Sequence, residues 1–312
     1  MRFSFRSALK TVSPIEAAGL DAAHVQALVT ARRRHRHRAA TTLHDVLAQI
    51  ERQDRLAVLY GLRVRERVLA KLMRDREALV RSVAARIAGY TGNPRWVASL
   101  GGLVDQDRDP FVRTRAVEAL GNLRATESLP VLARVAGDRA HPGCYHAVRA
   151  LGQLLPMSSA GLASIALEHD EPALRRLAAE TIARRADGAF WTTFVAATAE
   201  VRSAEVRATI VEGFGRSRAA RAASPVVRML SSDPAPEVRV AAADALIALG
   251  TPEAVGALFE CALRDPFARP RAGAAPGVVE YPVREAAADA LVALGASEAL
   301  WAAQVQGPGP RA

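Results

Sequence analysis

Five arginines and two histidines crowd into residues 32–38, with His35 and His37 set between Arg32, Arg33, Arg34, Arg36 and Arg38. Guanidinium groups at that density suit the binding of anions, whether the phosphates of nucleic acid or an acidic membrane surface. They cannot share one solvent face of a helix, so the segment is either exposed nearly all round or neutralised by a partner. A solvated helix or linker with ordinary arginine bias accounts for it equally well. The surrounding positive charge opposes a metal at His35 and His37. His141, Cys144 and His146 are the other ligand-type side chains that fall together, but no fourth ligand is in view and a repeat boundary explains them adequately. No phosphate-cradling glycine loop, nucleophile elbow or His-Glu-x-x-His sequence occurs. The sequence therefore calls for no catalytic residue, no cofactor and no metal, and it reads as non-enzymatic.

The elements that would carry any binding surface are written in a repeat. Asp109 to Leu123, DPFVRTRAVEALGNL, recurs along most of the chain. Aligned on the residue before the arginine, the copies are anchored at Val80, Val112, Gly143, Leu174, Val206, Val238 and Val283, with steps of 32, 31, 31, 32, 32 and 45 residues. Apolar or small residues follow each anchor at four, seven and eight positions, as in Ala116, Ala119 and Leu120 or Ala242, Ala245 and Leu246. That is the stripe of a helix with one buried face. Proline at or just before the helix start (Pro110, Pro142, Pro172, Pro236, Pro282) fits the first turn, and Asp109, Asp170 and Asp233 read as N-caps. A short first helix, a break at Gly121, Gly152, Gly215 and Gly250, and a second apolar helix account for the period.

These residues resemble the HEAT repeat, in the short bacterial form known as the phycobilisome-lyase HEAT-like repeat, which opens Asp-Pro-x-Val-Arg and ends Ala-Leu-Gly. The resemblance covers roughly residues 54 to 305 and is strongest at 109–121, 233–250 and 281–295. It implies an all-α fold: an α-solenoid of about seven to eight HEAT-like helix pairs, an armadillo-like superhelix. It further implies that the arginine after the anchor, here Arg81, Arg113, Arg175, Arg207, Arg239 and Arg284, forms a ladder of bonds to acidic or carbonyl groups of a neighbouring repeat. Cys144 stands at that position in the third copy, so the ladder is expected to break there. The resemblance also implies that second helices line a concave face. Their sequences are sparsely charged, which favours a protein partner over a nucleic-acid groove there, with Trp96, Phe190, Trp191, Phe194 and Phe259 as candidate anchors. At helical spacing some of these aromatics belong to the core. HEAT-repeat hydroxylases use His-Glu pairs, which this chain lacks, and likeness to bilin lyases rests on the shared repeat alone.

The charge is unevenly spread. The formal net charge is +10, and residues 1–90 hold 18 Lys or Arg against 8 Asp or Glu, while residues 91–312 hold 24 against 24. A basic N-terminal helical region (1–53), the solenoid (54–305) with an inserted loop at 266–280, and a disordered tail (306–312) follow from this pattern and from the Pro/Gly content of the loop. Two distant cysteines and no long apolar run suit a soluble protein in a reducing, cytoplasmic compartment. The expected function is a scaffold or adaptor for a protein partner. Nucleic-acid binding through the N-terminal arginines is the first alternative, and a role accessory to a lyase or enzyme is the second.

Overall fold

The computed structural model describes residues 40, 41, 66–275 and 277–296. The arginine cluster Arg32–Arg38 and the tail expected at 306–312 lie outside the described residues. The chain divides into two compact units, Met1–Leu154 and Leu155–Ala312. The first contains α1 (Glu66–Leu72), α2 (Ala78–Tyr90), α3 (Trp96–Gln106), α4 (Pro110–Leu123), α5 (Leu129–Gly137) and α6 (Cys144–Gln153). The second contains α7 (Ser159–Glu168), α8 (Pro172–Arg185), α9 (Gly188–Glu200), α10 (Ala204–Ser217), α11 (Ala223–Ser232), α12 (Pro236–Leu249), α13 (Val255–Arg264), a two-stranded antiparallel hairpin of β1 (Arg269–Pro270) and β2 (Val279–Glu280), and α14 (Pro282–Ala293).

The anchor residues predict the core. Val112, Ala116 and Leu120 are fully buried in one unit, as are Val238, Ala242 and Leu246 in the other. In each unit the anchor-bearing first helices stack on one another: α2, α4 and α6, then α8, α10, α12 and α14. The second helices α3 and α5, and likewise α7, α11 and α13, lie against the first helix that follows them in sequence. Each unit is thus an all-α stack of helix pairs, the solenoid architecture. The inserted loop at 266–280 becomes the hairpin, closed by an ion pair between Arg269 and Glu280 at 2.5 Å.

Three local expectations change. The first helices, at 13 or 14 residues in α2, α4, α8, α10 and α12, are longer than most second helices. Of the three aspartates read as N-caps, only Asp109 serves, accepting from the Phe111 amide at 2.8 Å. Asp187 and Ser203 cap α9 and α10 through the amides of Phe190 and Val206. The glycines divide into two kinds. Gly89, Gly121 and Gly215, nine residues after their anchors, lie inside helices, and a Cβ on them would stand 2.6, 2.5 and 2.8 Å from the backbone or Cβ of Ala119, Ala150 and Ala245 on the next first helix. They are contact points of the stack rather than breaks. The helix ends three residues later in a left-handed residue, which is Gly92, Gly250 or Gly295 in three copies (φ 65°, 63° and 73°) and Arg124 or Arg218 in two (φ 53° and 51°). Glycine accepts that conformation at little steric cost; arginine does not.

Candidate interaction surfaces

The arginine after each anchor reaches back to the loop that precedes its own helix. Arg81 Nη1 donates to the carbonyls of Asp75 and Arg76 at 2.9 Å, and Arg207 and Arg239 make the corresponding pair of bonds to residues 201, 202 and 233, 234. The other two nitrogens point toward the next repeat. Arg81 Nε and Nη2 donate to both oxygens of Asp107 at 2.7 Å. Arg207 does the same to Asp233 at 2.8 and 2.7 Å, and Arg239 to Asp265 at 2.7 and 3.0 Å. In all three the acid lies 26 residues downstream.

Each such aspartate is a node, because its own carbonyl accepts from the following arginine. Asp107 O takes Arg113 Nη1 at 2.9 Å, Asp233 O takes Arg239, and Asp265 O takes Arg284 Nε at 2.7 Å. That last bond spans 19 residues instead of six, the hairpin insertion being looped out between its ends. In the second unit the chain Arg207, Asp233, Arg239, Asp265, Arg284 is unbroken. These charge-assisted, forked bonds hold Arg81, Arg207 and Arg239 above the usual guanidinium value, the aspartate hydrogen bond being the main cause. At Asp107 burial pushes the carboxyl up, but the bonds from Arg81 and the Asp109 amide outweigh it and leave it below the usual range.

Where the sequence omits the acid, the ladder stops. Residue 139, the downstream partner position of Arg113, is arginine, so the interruption falls one step ahead of Cys144. For Arg175 the position holds Val201. Its Nη2 turns instead to the exposed Glu205 at 2.8 Å, and its buried Nε has no acceptor. The spacing of 26 residues from arginine to aspartate does not by itself mark a pair in the sequence, and Asp233, read there as an N-cap, instead faces the Arg207 guanidinium.

The aromatic candidates fare unequally. Trp96, Trp191 and Phe194 are 6%, 9% and 1% exposed, so they belong to the core and cannot anchor a partner. Trp191 and Phe194 both meet the buried Phe214 of α10 edge-on, with ring centroids 5.1 and 6.1 Å apart, fixing α9 to its neighbour. Phe190 and Phe259 are half-buried. His141 sits between the Val104 carbonyl and the Gly143 amide, while His146 Nε2 meets Glu118 at 3.0 Å. Among the described residues no group of three or more His, Cys, Asp or Glu is arranged to hold a metal ion.

Two grooves open between successive second helices, one in each unit. In the first, about 480 Å³ lies between α1 and α3, walled by Ala70, Met73, Ser99 and Gly102 and closed by Arg81 and Asp107. In the second, about 400 Å³ lies between α9 and α11, walled by Val195, Ala196, Ala199, Pro225 and Met229, with Arg228 on its lining and Asp233 at its base. Each groove thus includes a ladder aspartate in its lining, Asp107 in the first and Asp233 in the second.

The repeat seen in this geometry has a family. The sequence matches HEAT repeats over residues 66–152 and 192–277, more than half of the chain. This is a HEAT-repeat protein. Among solved structures, a mutant of the karyopherin Kap121p superposes with a TM-score of 0.50 at 12% identity, covering 95% of this chain and 36% of that one. Human deoxyhypusine hydroxylase in complex with glycerol gives 0.32 at 22% identity, covering 92% and 96%. The CpcE–CpcF complex of phycocyanin lyase from Nostoc sp. gives 0.40 at 18%, covering 77% and 92%. The likeness to Kap121p is one of fold, and this HEAT-repeat chain spans about a third of it. No curated protein matches the sequence.

Proposed function

We propose that the chain is a non-catalytic scaffold whose second helices hold a protein partner. The observation that carries this reading is the α9–α11 groove, lined mainly by apolar and small side chains and closed by Asp233, which the Arg207 fork holds in place. Walls fixed before a partner arrives lose little conformational freedom on docking, so most of the contact energy remains for binding. Membership among HEAT repeats supports the reading. Phe190 and Phe259, half-buried on second helices, are the remaining aromatic contacts. Among the described residues no helix is long and apolar enough to cross a membrane, and the buried thiols of Cys144 and Cys261 suit a reducing, cytoplasmic setting. Affinity capture from native lysate, with and without nuclease and with residues 1–40 deleted, tests it. Protein partners that survive both treatments support the scaffold; partners lost under both move the function to nucleic acid.

A second reading has an observation of its own. Helix α1 and the turn after it expose Arg67, Lys71 and Arg74 at i, i+4 and i+7, and none of the three forms an ion pair among the described residues. Together with the arginine excess of residues 1–90 this supports an electrostatic contact to nucleic acid or an anionic membrane surface at the N-terminal side. Affinity for DNA that falls steeply with salt, weakens when Arg67, Lys71 and Arg74 are changed to glutamine and weakens further on deletion of residues 1–40 is the expected result. An affinity indifferent to both changes sinks it.

A further inference from the structure

Although residues 91–312 are balanced in charge overall, the second unit sorts its charges. Two stretches at the C-terminal ends of α8 and α10, residues 183–186 (ARRA) and 215–222 (GRSRAARA), hold five arginines and no acid. Hydrogen bonds bring these ends together. Arg184 crosses from α8 to α10, donating to the carbonyls of Ser217 and Arg216 at 3.0 Å. Arg221 crosses back, with Nε on the Ala183 carbonyl at 2.6 Å, Nη1 on that of Ala186, and its guanidinium over the Trp191 ring at 5.4 Å. Those two arginines are occupied in capping each other's helix. Arg185, Arg216 and Arg218 are exposed, and among the described residues none of them forms an ion pair. The neighbouring acids are already engaged: Glu180 with Arg184 at 3.0 Å, Asp187 with the Phe190 amide and Glu212 with Arg176. Arg218, moreover, keeps a left-handed backbone (φ 51°) where α12 and α14 place glycine.

We propose that this edge, built from Arg185, Arg216 and Arg218 on a frame held by Arg184 and Arg221, is a docking site for an acidic polypeptide segment. It goes beyond the groove reading and does not rest on it. Charge complementarity names the partner, since guanidinium forks pair with carboxylates in two parallel bonds. The extent of the patch selects a peptide over nucleic acid. The positions matching Arg216 and Arg218 on α12 are Ala248 and Gly250, so the patch stops after two helices, whereas a phosphate backbone is tracked by a longer basic row. The aromatic ring at the site, Trp191, is buried beneath Arg221 and offers no stacking platform to a base.

The test uses the full chain and fluorescein-labelled decaglutamate, with decaglutamine and an oligothymidylate of equal length as comparators. The variant R185Q/R216Q/R218N keeps both framing arginines, and asparagine tolerates the left-handed position. Its affinity for decaglutamate is expected to fall about tenfold, while a chain with Arg32, Arg33, Arg34, Arg36 and Arg38 changed to glutamine keeps the part that depends on the patch. If the triple variant loses its far-UV circular dichroism, R185Q/R216Q alone is measured, with a fall of about threefold expected. Equal affinity for decaglutamate before and after substitution overturns the proposal. So does oligothymidylate binding that is tighter than decaglutamate and weakened by the same substitutions, which would make the site one for nucleic acid.

Discussion

Arg207 and Asp233 keep 7% of their side-chain surface each, and Arg239 and Asp265 keep 11% and 4%. Replacing such a pair by apolar groups can be neutral, but removing one partner strands the other charge away from water. Arg207→Ala or Arg239→Ala is therefore expected to destabilise the second unit by about 3 kcal/mol or more, with a broadened denaturant transition. Arg113→Ala, which loses a single bond to a carbonyl, is expected to cost about 1 kcal/mol. Equal losses in the two cases would show that the carboxylate forks add nothing. Acid titration separates the fork further. The Asp107 carboxyl has a folded pKa below its unfolded value of about 3.9, so its contribution is present above that pH and is lost as pH falls through the folded value. Asp107→Asn is expected to reduce the loss of stability between about pH 5 and 2. Asp244 runs the other way, its carboxyl raised by burial and then by Asp289 and Glu212. It retains its proton to higher pH in the folded chain, so Asp244→Asn is expected to raise the thermal midpoint at pH 7 and not at low pH. The arginines of the ladder were legible from their spacing. Their acids were not, because Asp233 sits where a helix cap is also plausible, and only geometry separates a cap from a carboxylate facing a guanidinium two loops away.

Helices α4 and α10 end in Arg124 and Arg218 at positive φ, where the other left-handed ends have glycine. Arg124→Gly is expected to gain about 0.5 to 1 kcal/mol, and Gly250→Ala to lose about as much. The stacking glycines behave differently. At Gly121 and Gly215 the obstacle is a neighbouring helix, since a Cβ would stand 2.5 and 2.8 Å from Ala150 and Ala245. Alanine there is expected to push the first helices apart at a cost of about 1 to 3 kcal/mol, read as a lower denaturation midpoint. The sequence shows a glycine near most first-helix ends without distinguishing the two jobs. The period of the repeat marks position, and the difference between an αL end and a close helix approach lies in three residues of offset. The buried stripe read from the anchors needed no such discrimination, because any residue facing the stack must be apolar or small. The aromatics were ambiguous for a related reason: α9 carries Phe190, Trp191 and Phe194 within one and a half turns, and which ring faces Phe214 depends on the rotation of that helix.

Across the molecule the sequence reports what is periodic and averages away what is not. The balanced charge of residues 91–312 conceals an arginine edge at α8 and α10, because the neighbouring acids Glu180, Asp187 and Glu212 are engaged by other groups. The two grooves between second helices are likewise invisible in a helical stripe, since they arise between helices rather than on one. What the units share is a ladder aspartate on the lining of a groove, Asp107 held by Arg81 and Asp233 held by Arg207. A scaffold that binds through such a groove must lose its partner when the groove is filled. The most direct measurement is the affinity of a captured protein partner for the wild-type chain, for Ala196→Arg/Ala199→Arg, which fills the α9–α11 groove, and for Ala248→Arg, which adds a cation to an exposed site on the first helix α12. The scaffold account predicts a loss of about tenfold or more for the groove variant and no more than about twofold for Ala248→Arg. Unchanged binding by the groove variant, or an equal loss in both, would contradict it.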